Sequence, residues 1–210
     1  MISEYAPPKE LSIAAYRVIR VQKRLIIGVS GASGAIYGIR LLEMLRRRKD
    51  VESHLIISNP ARLVIKEETD YSESEVEKLA NITYEVDNLA AAISSGSYRT
   101  EGMIVAPCSV KTLSAVANCN ATNLLTRACD VTLKQRRKLV LLFRETPLHF
   151  GHIELMKKAT LSGGIIYPPV PAFYTKPDNT DDIVDATLYR VLDLFGFHLK
   201  NAKRWTGKKE

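Results

Sequence analysis

The stretch "RLIIGVSGASGAIYGIRLLEMLRRR", beginning at Arg24, constrains the fold of this chain more than any other segment. An apolar run at 25–29 leads into a turn with glycines at 28, 31 and 34, then into apolar residues at helical spacing that end in arginines. A buried strand that turns tightly into a helix is the opening unit of a doubly wound α/β sheet. Such a turn brings backbone N–H groups to a helix N-terminus, where an anion is favoured. The spacing is neither Gly-x-Gly-x-x-Gly nor a Walker loop with its Lys-Ser/Thr ending. Two readings of these residues stand side by side. One is a phosphate-holding turn to which Ser30 and Ser33 add hydroxyl donors, and the other is a tight connection whose glycines serve packing only.

The rest of the chain repeats the strand-then-helix rhythm. Short apolar runs at 54–58, 103–106, 139–143 and 165–167 read as further buried strands of a parallel sheet. Helical patterns fall at 35–48, from Pro60 with Asn59 as its N-cap, after Ser72 with Glu75 completing a capping box, and at 110–118, 123–137, 153–161 and 181–195. The fold expected is a single α/β domain: a three-layer, Rossmann-like (flavodoxin-like) doubly wound parallel sheet. Residues 1–22 read as an N-terminal extension, 23–198 as the domain and 199–210 as a tail.

Composition excludes several classes. No apolar run approaches the roughly 18 residues that span a bilayer, so no membrane partner is expected. The first residues lack the apolar core and small-residue site of a secretory signal. Three cysteines, Cys108, Cys119 and Cys129, form no Cys-x-x-Cys pair, which suits a reducing cytoplasm and suggests neither a disulfide framework nor a zinc site. His149, His152 and Glu154 offer only an incomplete ligand set, so no metal is expected. The net charge of +7 is scattered among helix ends and the tail, and no RNA-reading element accompanies it; a basic nucleic-acid module is the weakest reading.

Ligands of doubly wound folds sit beyond the carboxyl ends of the strands. At those ends stand the Gly/Ser turn, Ser58, "APCSVKTLS" with Ser109 and Thr112, then Arg144 and Glu145, and finally "YPPVPAFY". One hydroxyl at a helix start is an ordinary N-cap. Hydroxyls or charge at several successive strand ends outline a polar, phosphate-compatible rim.

Over about residues 24–205 the motifs "GVSGASGAIYGIRLL", "APCSVKTLSAVAN", "NLLTRACDVTLKQRRKLVLLFRETPLH", "YPPVPAFY" and "TLYRVLDLFG" occur in order. Together they resemble the UbiX-like flavin prenyltransferases, formerly described as aromatic-acid decarboxylases. The resemblance implies an FMN-binding subunit that transfers a dimethylallyl group from dimethylallyl phosphate to reduced FMN. The product, prenylated FMN with a fourth ring, serves a separate UbiD-type decarboxylase. It also implies sites at subunit junctions of a large homo-oligomer, a homododecamer.

By that resemblance Gly31, Ala32 and Ser33, then Ser58, then Ser109, Val110, Lys111 and Thr112, and finally Arg144, contact the flavin. Glu68 matches a carboxylate beside the reacting flavin. Lys134, Tyr174 and Arg190 match the groups that hold the prenyl phosphate, with Arg127 and Glu145 nearby and Trp205 closing the pocket. Ala106, where a cysteine is often found, and the Ala121-Thr122-Asn123 turn depart from the pattern without removing a proposed ligand. The chemistry suits these residue types: cations stabilise a departing phosphate through fixed electrostatics, and a dry aromatic pocket stabilises an allylic cation without a metal. Taken by type alone, Lys134 reads as a solvated helix lysine, Arg190 as a surface arginine and Trp205 as a tail anchor. An FMN-dependent decarboxylase of the same fold is the alternative; it calls for a catalytic histidine near the start of the domain, which "GASGAIYG" lacks.

Overall fold

The computed structural model describes residues 22–207. Its core is one sheet of six parallel strands: β1 (Lys23–Val29), β2 (Val51–Ile57), β3 (Ile82–Tyr84), β4 (Gly102–Cys108), β5 (Lys138–Phe143) and β6 (Gly164–Ile166). They lie in the order β3-β2-β1-β4-β5-β6. The order reverses between β1 and β4, so the crevice that receives ligands in such sheets opens above those two strands.

Among the described residues seven α-helices flank the sheet: α1 (Ala35–Arg46), α2 (Asn59–Glu68), α3 (Glu73–Glu77), α4 (Val110–Ala117), α5 (Leu124–Lys134), α6 (Phe150–Leu161) and α7 (Thr180–Asp193). Strand residues alternate between two cores. Leu25, Ile27 and Val29 join Ile39 and Leu42 of α1 and Leu188 and Leu192 of α7 on one face. Ile26, Met103 and Val105 join Leu113 of α4 and Leu125 and Ala128 of α5 on the other. Both faces of the central strands are thereby sealed, which is why they read as continuous apolar runs.

The glycines of the opening stretch answer the question of their spacing. A Cβ on Gly38 would stand 2.5 Å from the Ala106 carbonyl oxygen, and one on Gly31 would stand 2.4 Å from the Pro60 Cβ. Packing fixes these two. Gly34 caps α1 in the left-handed region, at φ +98°, where a side chain is strained.

Several expectations need correction. The N-cap of α2 is Ser58, whose hydroxyl accepts from Ala61 N–H, while Asn59 and Pro60 occupy the first helical turn. Strand β3 was not foreseen; it is three residues long and its Ile82 is exposed, so it carries little apolar signal. Helix α6 starts at Phe150 behind His149 as N-cap, earlier than its apolar pattern suggests. Helix α5 stops at Lys134, so the basic residues after it are not helical: Arg137 donates to the carbonyls of Tyr98 and Gly96, and Lys138 opens β5. The capping box of Ser72 and Glu75 is present as expected. The N-terminal extension, 1–21 of it, lies outside the described residues.

Candidate active site

A cavity of about 520 Å³ opens above the carboxyl ends of β1 and β4. Its floor is the turn of Gly31, Ala32 and Ser33; one wall is Ser58 and Pro60, and the other runs from Ser109 through Val110 and Lys111 to Thr112. Arg144 and Glu145, just beyond β5, stand at the rim. Every residue assigned to the flavin by resemblance thus lines a single cavity. Its size falls within the several hundred cubic ångströms typical of small-molecule sites.

Helix starts give the cavity its polarity. Ser58 caps α2 and Ser109 caps α4, where its hydroxyl accepts from Thr112 N–H at 3.3 Å. The start of α5 supplies a third wall through Thr122, Asn123 and Thr126. Asn123 caps that helix by accepting from Thr126 N–H at 3.0 Å. These α5 residues were missed as site residues; the capping asparagine at a helix start was the available signal. Helix N-termini concentrate positive potential, so the cavity favours a ligand carrying an anion.

Ser30, expected as a hydroxyl donor to the ligand, does a different job. It is buried; its hydroxyl donates to the Pro107 carbonyl at 2.8 Å and accepts from Ser109 N–H at 2.8 Å. The first turn and the start of α4 are therefore tied through one buried oxygen.

Glu68 sits at the far end of α2 and reaches back to the first turn. Its carboxylate accepts from Gly34 N–H at 2.7 Å and from Ala35 N–H at 3.4 Å, supplying α1 with the cap its left-handed glycine cannot provide. Burial acts to raise its pKa, yet the Gly34 N–H, the Ser33 hydroxyl and the Ala35 N–H outweigh this and hold it below the usual carboxylate range. Arg144 adds to that lowering and also opposes the burial that raises the Tyr37 phenol, so its charge is felt across the turn. Glu145 accepts from Thr146 N–H at 3.0 Å and forms no ion pair among the described residues.

The residues assigned to the prenyl phosphate do not share this cavity. Tyr174, Arg190 and Trp205 line an open recess of about 580 Å³ with Tyr167 and Ala172. Trp205 meets the Tyr174 ring edge-on, centroids 6.2 Å apart. Lys134, at the end of α5, lies in a third recess beside Cys119, Asp130 and Arg136. Arg127 is held by Asp130 at 3.0 Å and by the Ser94 carbonyl at 3.3 Å, and lines none of the three.

The histidines lie away from the main cavity. His54 is fully buried between Glu52 and Tyr84, and His149 stacks on His152 with centroids 3.7 Å apart. Among the described residues no group of three His, Cys, Asp or Glu is placed to hold a metal ion. Cys108 and Cys129 are buried, with burial pushing both thiols up, and Cys119 is exposed.

Comparison with known proteins bears on this geometry. The flavoprotein family model matches residues 14–191. The flavin prenyltransferase UbiX of Thauera aromatica is 54% identical over 187 residues, which is 89% of this chain and 96% of that protein. The enzyme of the same name from Escherichia coli K12 is 53% identical over 187 residues, 88% and 99% of the two chains. The chain belongs to the UbiX flavin prenyltransferase family. Among solved structures, AnUbiX in complex with FMN and dimethylallyl pyrophosphate superposes with a TM-score of 0.87 at 45% identity, covering 90% of this chain and all (100%) of that one. A dodecameric FMN-dependent UbiX-like decarboxylase from Escherichia coli O157:H7 gives 0.86 at 47% identity, covering 88% and 100%. The flavodoxin-like sheet is thus the UbiX fold, and the cavity lies at that fold's switch point. No helix among the described residues is long and apolar enough to cross a membrane.

Proposed function

We propose that the chain is a flavin prenyltransferase that moves a dimethylallyl group from dimethylallyl phosphate to reduced FMN, making prenylated FMN for a UbiD-type decarboxylase. The observation that carries this reading is the single cavity that gathers the first turn, three helix starts, Arg144 and Glu145. It offers backbone and hydroxyl donors for a phosphate and a cation at the rim, which fits a flavin mononucleotide. The family relationship to UbiX enzymes, and a neighbour holding FMN with dimethylallyl pyrophosphate, support the same pair of ligands.

Bound there, reduced FMN supplies the nucleophile for the allylic carbon. Gly31, Ala32, Ser33, Ser58, Ser109, Val110, Lys111, Thr112 and Arg144 hold it. Lys134, Arg190 and Tyr174 hold the prenyl phosphate, and with Arg127 they offset the charge that grows as the carbon–oxygen bond breaks and the electron pair leaves with phosphate. Trp205 presents a ring to the allylic cation. Glu68 holds the first turn against the reacting face. Glu145, which pairs with no arginine among the described residues, takes up and passes on a proton near the departing phosphate.

The spread of the assigned residues over separate recesses of one protomer supports a full site formed between subunits. The exposed apolar side chains Leu148, Phe150, Val170 and Phe173 suit contact with further copies, and a homododecamer like the Escherichia coli O157:H7 relative is the assembly proposed. Residues 23–198 then form the flavin-binding domain of a cytoplasmic enzyme, and the tail from 199 completes the second recess. Light scattering on flavin-loaded, active protein tests the assembly; an active monomer overturns it.

A decarboxylase acting on its own substrate is the second reading, since one neighbour is described in those terms. None of the chain's four histidines lines the cavity, which disfavours it. Reduced, FMN-loaded protein incubated with dimethylallyl monophosphate should yield flavin heavier by one prenyl unit by mass spectrometry. Unchanged flavin mass, with carbon dioxide released from an added carboxylic acid, favours the second reading instead.

A further inference from the structure

The tail that brings Trp205 to its recess follows α7 and borders two recesses along its way. Each is about 230 Å³, one lined by Leu199, Lys200 and Asn201 and the other by Asn201 and Lys203. Phe197 is buried and Leu199 packs on the core on the α1/α7 face of the sheet; beyond them the tail is held by polar contacts. Lys203 Nζ donates to the Thr175 carbonyl at 3.2 Å, and both terminal nitrogens of Arg204 donate to the Asp193 carboxylate, one of them at 2.7 Å.

Asp193 is the last residue of α7, where the helix dipole disfavours an anion. Its carboxylate is nonetheless only 15% exposed and is met by Arg204 on one side and by His198 Nδ1, at 2.8 Å, on the other. Arg204, with His198 in support, pulls its pKa down to about 2, so it stays ionised. A two-pronged guanidinium–carboxylate contact is among the stronger polar interactions, whereas a single exposed ion pair contributes little.

The same carboxylate has a second arginine within reach along the helix. Arg190 stands three residues earlier, at the spacing where opposite charges on a helix normally pair. Arg190 forms no ion pair among the described residues, and Asp193 is engaged by Arg204. Burial raises the Tyr167 phenol, and Arg190 acts against that, which places its charge inside the recess.

We propose that Asp193 is the positioning residue of the prenyl-phosphate recess: by gripping Arg204 it sets Trp205 against Tyr174 and leaves Arg190 unpaired to meet phosphate. The inference rests on the reading of that recess as the phosphate site. Asp193 touches neither substrate nor flavin; it acts through its two neighbours.

Trp205 is the chain's single tryptophan, so its fluorescence reports the tail directly. In flavin-free protein, time-resolved anisotropy of Trp205 should follow overall tumbling in the wild type and gain a fast component in both Asp193→Ala and Arg204→Ala. In the transfer assay, Asp193→Ala should raise KM for dimethylallyl monophosphate and lower kcat, together about a tenfold loss in kcat/KM or about 1.4 kcal/mol of transition-state stabilisation, with FMN retention as in the wild type. Arg204→Ala should raise KM further, because the freed carboxylate then pairs with Arg190. Adding Asp193→Ala to Arg204→Ala should recover part of that loss, an effect no general loosening of the tail produces. Unchanged anisotropy in both single variants overturns the grip on the tail. A double variant no better than Arg204→Ala overturns the sorting of the two arginines. Should the wild type transfer no prenyl group, the reading of the recess fails and anisotropy alone decides the grip.

Discussion

The cavity proposed for the flavin and the recess around Trp205 are built by opposite means. The cavity's framework is interior: Ser30 ties two turns through a buried hydroxyl, Glu68 caps α1 from 34 residues away in the chain, and serines at helix starts complete the rim. The recess is assembled on the surface, with Tyr174 and Trp205 about half or more exposed and the segment carrying Trp205 held, past Leu199, by polar contacts. The contrast teaches that the cavity is preorganised by the protomer's own fold, while the recess depends on surface polar contacts. Preorganisation suits a ligand held throughout turnover, and a looser recess suits one that must enter and leave.

The strongest blow to this division falls at the boundary between the two. Glu145→Gln preserves shape and removes the proton acceptor, so product formation in single-turnover assays on reduced, FMN-loaded protein should fall on the order of 100-fold with flavin retained. Loss of flavin or of assembly in that variant would assign Glu145 to the framework instead. Inside the cavity, Ser33→Asp sets an anion against the ligand phosphate, and like charges brought together cost several kcal/mol. Flavin retention after desalting should drop about tenfold or more; equal retention breaks the placement of phosphate at the first turn.

Smaller effects sharpen the claim that the first turn's framework is rigid. Gly38→Ala puts a Cβ against the Ala106 carbonyl, and chemical denaturation should show a loss of about 1–3 kcal/mol, typical of overpacking. The gentlest probe is acid. Burial holds the His54 imidazole below its ordinary value of 6.5, against the pull of Glu52, so the folded state keeps it neutral while the unfolded state takes a proton. The stability this contributes is present above about pH 6.5 and is lost as pH falls below it, at no more than about 1.4 kcal/mol per pH unit. A His54→Gln variant should flatten that slope between pH 6.5 and 5.5. An unchanged slope would sink the assignment to His54.

The sequence disclosed the cavity more fully than the recess for physical reasons. Ligand residues at strand ends follow apolar runs directly, so Gly31, Ser58, Ser109 and Arg144 could be found by looking just past each run. The α5 wall escaped notice because it stands at a helix start that follows no apolar strand run, and the pattern placed Asn123 within the helix rather than at its cap. Edge strand β3 is too short and too exposed to leave a pattern. That Lys134 lines a recess of its own and Arg127 none of the three depends on packing between distant elements, and no local spacing encodes that. Even the glycine turn was only half legible: its residues announced a tight connection, but the need for glycine at 31 and 38 lies in Pro60 and Ala106, neither of them a sequence neighbour.

The Ser30 hydroxyl has a bearing on how this nucleotide-holding apparatus can be moved or copied. One oxygen joins residues that are 77 and 79 positions away in the chain, so the glycine turn and the Pro107–Ser109 corner form a single transplantable unit. A designer who grafts the glycine turn alone onto another parallel sheet carries over a serine with nothing to hold and a recipient helix start left without its acceptor. The two corners have to travel together.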